Sequence, residues 1–124
     1  MKTLILMACL LTISYAGDPA KLKEFYDSYA ACIKELNVPD AWSIEVGVCT
    51  LQKHKMVDDQ GLFIKDKILA NLPNIISDDA KLHQAQDVVN SCSDKATQAS
   101  GSNDDKNVAF VKCGISAVDL VDKQ

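Results

Sequence analysis

The sequence predicts a single all-α domain of five to six helices. Three observations carry this. Apolar side chains return every three or four residues along most of the chain, and no useful length alternates with the period of two that a strand requires. Most of these stretches are preceded by Asp or Ser and followed by Pro, Gly or Asn, the residues that start and stop helices. A length of 124 residues with 48% apolar and 24% charged side chains supports one globular domain with a core.

The first predicted helix opens at Asp18, a capping residue, with Pro19 where a missing N–H costs nothing. Leu22, Phe25, Tyr26, Tyr29, Ile33 and Leu36 form its apolar stripe, with Cys32 alongside. Asn37, Val38 and Pro39 end it, because the residue before a proline is pushed out of helical geometry. Asp40 offers a new cap, and the stretch to Met56 reads as a short helix leading into a longer one, with Gly47 as its weak point. A turn follows at Val57–Gly61. Leu62 to Leu72 resumes helical spacing until Pro73 stops it. Ser77 or Asp78 caps a helix through Leu82, Ala85, Val88, Val89 and Cys92 that frays near Thr97. After a loop at Gln98–Asn103, Asp104 or Asp105 opens a last helix through Val108, Phe110, Val111, Cys113, Ile115, Val118 and Leu120.

The charge excludes some functions. Seventeen acidic residues face 13 lysines, with no arginine and no basic cluster, so nucleic acid and polybasic membrane binding are not expected. Residues 1–16 read as a secretory signal peptide: Lys2, an apolar run from Leu4 to Ile13, then Ser14, Tyr15 and Ala16 before the polar start at Gly17. The run is about half of the roughly 20 apolar residues that a membrane anchor needs. Residues 17–124 then form the mature, extracellular domain, with 12 lysines against 17 acids. They keep four cysteines, Cys32, Cys49, Cys92 and Cys113, and in an oxidising compartment these are expected to form two disulfides. Spacing alone leaves three pairings open.

Catalytic chemistry is not expected. His54 and His83 lack the partners of a zinc motif or of a calcium-assisted phospholipase, and no serine stands in a nucleophile elbow. The pairs Asp58–Asp59, Asp78–Asp79 and Asp104–Asp105 sit at turns and helix starts, where capping accounts for them. No metal or cofactor is expected. His54, between Lys53 and Lys55, reads as part of a solvated basic patch. It is also the residue through which pH could gate a pocket, in which case His54→Ala would flatten the pH dependence of affinity.

The leader, the acidic all-α chain, the cysteine framework and above all the stretch Cys49–Phe63, CTLQKHKMVDDQGLF, resemble the insect odorant-binding proteins of the pheromone-binding and general odorant-binding type. The usual member has six cysteines. Glu45 and Asp104 stand at the places of the missing two, which makes the chain similar to the four-cysteine subgroup. The resemblance implies the pairs Cys32–Cys49 and Cys92–Cys113. It also implies a helical shell around an apolar cavity, and a secreted carrier that moves small hydrophobic ligands such as odorants, pheromones or lipid-like molecules through aqueous lymph. A chain of about a dozen carbons would reach micromolar affinity by apolar burial alone.

The candidate cavity residues are the apolar ones on inward stripes: Tyr29, Ile33, Leu51, Met56, Phe63, Ile68, Leu72, Val89, Phe110, Val111 and Ile115. Trp42 and the two mature-chain tyrosines, Tyr26 and Tyr29, are candidates for a polar tip inside it. The expected partner is a small hydrophobic ligand, with no membrane insertion, room for contact with a membrane receptor, and a monomer or weak dimer. A second reading places the same scaffold in saliva, venom or haemolymph, binding a host amine, a lipid mediator or a protein partner.

Overall fold

A computed structural model describes residues 17–123; the predicted signal peptide lies outside the described residues. Five α-helices follow one another: α1 (Pro19–Leu36), α2 (Ile44–Lys53), α3 (Lys65–Ile75), α4 (Asp79–Gln98) and α5 (Asn103–Gly114), with a closing 3-10 helix at Ile115–Leu120. Among the described residues the one β feature is an isolated antiparallel bridge between Val57 and Phe63.

Local chemistry sets each boundary. The Asp18 carboxylate accepts from the N–H groups of Ala20 (3.0 Å) and Lys21 (3.3 Å), with Pro19 in the first turn. Asn37 ends α1 in the left-handed region (φ 52°), which its short polar side chain tolerates. No short helix forms at Asp40, because its carboxylate accepts the Tyr29 hydroxyl at 2.7 Å instead of capping. Ser43 caps the single helix α2, accepting from the Val46 N–H at 3.3 Å.

α3 begins three residues later than the periodicity predicts. Residues 57–63 are drawn into a closed loop: Asp58 N–H donates to the Leu62 carbonyl (2.8 Å) and Ile64 N–H to that of Met56 (2.7 Å). Pro73 does not stop α3, which continues to Ile75. A proline so close to a C-terminus deletes one helical bond. In return Ile75 and Ile76 reach the core, at 4% and 1% exposure. Asp78 caps α4 as predicted, at 2.9 Å from the Lys81 N–H. α5 is capped by Ser102, two residues ahead of the predicted start, with Asp105 as its reciprocal capping-box partner.

Two disulfides staple the helices, Cys32–Cys49 joining α1 to α2 and Cys92–Cys113 joining α4 to α5. α3 packs on α4 and α1, and α2 lies against α5. The core runs from Phe63, Ile68, Leu72, Ile75 and Ile76 through Ala85, Val89 and Ala96 of α4 to Phe110, Val111 and Val121. The stripe of α1, Leu22, Phe25 and Tyr26, is half-buried against it.

Candidate ligand cavity

The helices do not close completely on one another. A cavity of about 160 Å³ remains between the five helices and the 3-10 helix, with α1 contributing Phe25. Its wall carries small or branched side chains at inward positions, notably Ala85 and Val88 on α4 and Ala117 and Val118 on the 3-10 helix. Larger apolar groups complete the wall. Of the residues predicted from the sequence, Leu51, Met56, Ile68, Leu72, Val89, Phe110, Val111 and Ile115 line it.

Tyr29, Ile33 and Phe63 do not. Tyr29 turns outward to Asp40, and its ring lies 4.6 Å from that of Trp42. Burial, then the Asp40 hydrogen bond and charge, push its hydroxyl pKa up to about 12. Ile33 is half-buried on α1, away from the cavity. Phe63 is core, stacked on Phe110 at 4.4 Å between ring centroids. Tyr26 also gives the cavity no polar tip, because its hydroxyl donates to the Asp122 carbonyl at 2.7 Å. Trp42 does line the wall, beside Phe25, whose ring lies 5.5 Å from it.

Three polar side chains face this apolar space, and they differ in what they leave free. Thr50 donates its hydroxyl proton to the Val46 carbonyl at 2.8 Å, an ordinary bond within a helix. The Asn71 amide oxygen accepts from Asn74 at 3.4 Å. His54 is the exception: its Nε2 is buried and, among the described residues, has no hydrogen-bond partner. Periodicity could not find it, because His54 is the C-cap of α2, where the chain turns.

The basic patch expected around His54 is thereby divided. Lys53 binds Glu35 of α1 at 2.7 Å, Lys55 is exposed with a left-handed backbone (φ 57°), and the imidazole points inward against Phe25. Burial lowers the His54 pKa; the charges of Glu24, which raises it, and of Lys21, which lowers it, matter less. Among the described residues no Asp, Glu or Lys lines the cavity. A second hollow, between the chain ends near Asp18, Lys81, Asp119 and Lys123, is lined largely by polar and charged groups.

The acidic pairs do what capping predicts. Asp78 and Asp105 serve helix starts, and Asp58 folds the 57–63 loop by accepting from the N–H groups of Gln60 and Leu62. Among the described residues no group of three His, Cys, Asp or Glu side chains is placed to hold a metal ion. No described helix is long and apolar enough to cross a membrane.

Comparison with known proteins places this helical shell. Residues 31–118 match the ant venom allergen Sol i 2 family, a stretch that holds the four disulfide cysteines and most of the cavity wall. The chain belongs to the ant venom allergen Sol i 2 family. Venom allergen 2 of Solenopsis saevissima is 33% identical over 123 residues, covering 91% of this chain and 88% of its own. No solved structure matches. Membership of the venom allergen family corrects the resemblance to odorant-binding proteins. A four-cysteine spacing on a helical frame is compatible with more than one family of secreted proteins, and the residues that suggested the resemblance did not distinguish them. Glu45 and Asp104, taken as the sites of lost cysteines, are simply exposed carboxylates.

Proposed function

We propose that this chain is a secreted venom protein that holds a small, largely apolar molecule in the cavity between its helices and performs no covalent chemistry of its own. The observation that carries the reading is the 160 Å³ apolar cavity, walled by five helices and the 3-10 segment. The relative from Solenopsis saevissima, described as a venom allergen, supports a place in venom. So does the leader pattern of residues 1–16, which would direct the chain out of the cell and into the compartment where Cys32–Cys49 and Cys92–Cys113 form.

The volume bounds the ligand. An apolar cavity of about 150 Å³ accommodates benzene, so a body of similar size fits here, and a chain of a dozen carbons would have to project from the mouth. Burying about 200 Å² of apolar ligand surface at about 25 cal/mol per Å² yields roughly 5 kcal/mol, a dissociation constant of about 0.1–1 mM before polar contacts. A charged host amine fits poorly, since the wall offers it no carboxylate.

Methyl NMR of the oxidised, delipidated protein tests the reading. On titration with toluene, the methyl resonances of Leu51, Ile68 and Val89 are expected to shift saturably while those of the exposed Leu36 and Val108 stay in place. Absence of saturable shifts at the three cavity residues would sink it.

A further inference from the structure

We propose that His54 Nε2 is the polar anchor of the cavity, and that the ligand is a small uncharged molecule carrying one hydrogen-bonding oxygen, a hydroxyl or a carbonyl. The inference rests on the cavity-binding reading above and adds the chemical class of what is bound.

Among the described residues, Nε2 of His54 is the only buried side-chain nitrogen or oxygen without a hydrogen-bond partner. Buried polar atoms are nearly always paired, so an unpaired one on a cavity wall marks the place of an absent partner. His54 is positioned through its backbone and through its ring. Its backbone N–H donates to the Thr50 carbonyl at 3.0 Å, and its ring lies nearly parallel to Phe25, 20° apart at 6.0 Å, with Phe25 in turn stacked on Trp42. Packing against Phe25 limits the side-chain freedom that is lost when a ligand oxygen binds.

The surroundings select against charge on either partner. The charged groups near His54 are Lys21 and Glu24 of α1, while Lys53 next to it is engaged by Glu35. None of these lines the cavity, and no carboxylate there would balance an imidazolium or a ligand ammonium. Burial accordingly favours neutral imidazole. Neutral imidazole presents either an N–H or a lone pair at Nε2 according to its tautomer, so it donates to a carbonyl or accepts from a hydroxyl. One such bond, shielded from water, is worth about three- to tenfold in affinity.

The experiment compares toluene, benzyl alcohol, benzaldehyde, benzylamine and benzoate on the native protein and on His54→Phe, which keeps an aromatic ring against Phe25. His54→Phe is expected to weaken benzyl alcohol and benzaldehyde about three- to tenfold more than it weakens toluene. In the native protein, the His54 Nε2 resonance in ¹⁵N NMR is expected to move on adding the alcohol or the aldehyde and not on adding toluene, a readout that does not depend on the variant folding. Equal loss for all three neutral probes, no loss for the two oxygenated ones, or an unmoved Nε2 resonance would overturn the anchor and leave the cavity reading standing. Tighter binding of benzylamine or benzoate than of the neutral probes would overturn the ligand class. If no probe binds the native protein, the cavity reading itself falls, and the anchor with it.

Discussion

The Tyr26 hydroxyl donates to the backbone carbonyl of Asp122 at 2.7 Å, a bond that spans 96 positions of the chain and fastens its last turn to its first helix. Asp122 is held at two further points: its N–H donates to the Ile75 carbonyl (2.9 Å), and its carboxylate accepts the Ser77 N–H (3.1 Å). Ile115, Ala117, Val118 and Val121, in the segment just before it, form one wall of the cavity. A single residue thus straps that wall to α1 and to the end of α3.

Tyr26→Phe removes one of the three ties and keeps the ring. The expected loss is about 1 kcal/mol, which for a domain of this size lowers Tm by about 4–8 °C. The informative readout is local. Hydrogen exchange should quicken for residues 117–122 while α4, stapled through Cys92, keeps its protection. Uniform quickening across the protein would show that the strap is not a separate unit.

Asn107 is fully buried on α5, and both ends of its amide are used. Its oxygen accepts from the Phe63 N–H at 2.9 Å and its nitrogen donates to the Gly61 carbonyl at 2.6 Å. It stands in for a strand partner, pinning the 57–63 loop so that Phe63 can stack on Phe110. Asn107→Ala leaves both backbone groups unpaired and is expected to cost about 2–4 kcal/mol, read from the urea midpoint. A loss below about 0.5 kcal/mol, within the range of ordinary surface substitutions, would show that water replaces the amide.

Gly47, expected from the sequence to be a weak point, lies inside the unbroken helix α2 at a point of close approach. A methyl added there would lie 2.5 Å from Cγ1 of Val111, on the opposing helix α5. Helix propensity alone favours Gly47→Ala by about 1 kcal/mol, whereas overpacking costs about 1–3 kcal/mol. Net destabilisation is therefore expected, and Gly47→Ala with Val111→Ala should recover most of it, because the second change vacates the space. If the single variant is the more stable one, Val111 moves aside at little cost.

How far the sequence reveals this structure depends on whether the deciding interaction is local. α1 and α4 are legible because Asp18 and Asp78 cap the residues that follow them. Asp40 misleads because its partner, Tyr29, lies eleven positions back, and Pro73 misleads because the burial of Ile75 and Ile76 outweighs a lost helical bond. Eight of the eleven predicted cavity residues reach the wall, since an inward stripe is inward for core and cavity alike. The stripe does not say where packing fails, and that is decided by small residues such as Ala85 and Ala117 on two separate elements. The disulfide pairs implied by the odorant-binding resemblance are those observed, although the family is a different one.

His54 makes stability depend on pH in a direction that can be derived. Burial holds its folded-state pKa below the ordinary value, which in the unfolded chain is about 6.5. Between the two values the unfolded chain binds more protons than the folded one, so stability rises with pH across that window. The penalty is absent above about pH 7.5, grows as pH falls through about 6.5, and is complete once pH lies below the folded-state value. Carboxylates add their own dependence at lower pH, so the difference between native protein and His54→Phe isolates the imidazole. Urea unfolding of both from pH 7.5 to 4.5 should show the native protein losing stability relative to the variant as the solution is acidified. A constant difference across that range would mean that the imidazole charges without penalty, and therefore that Nε2 is reached by water.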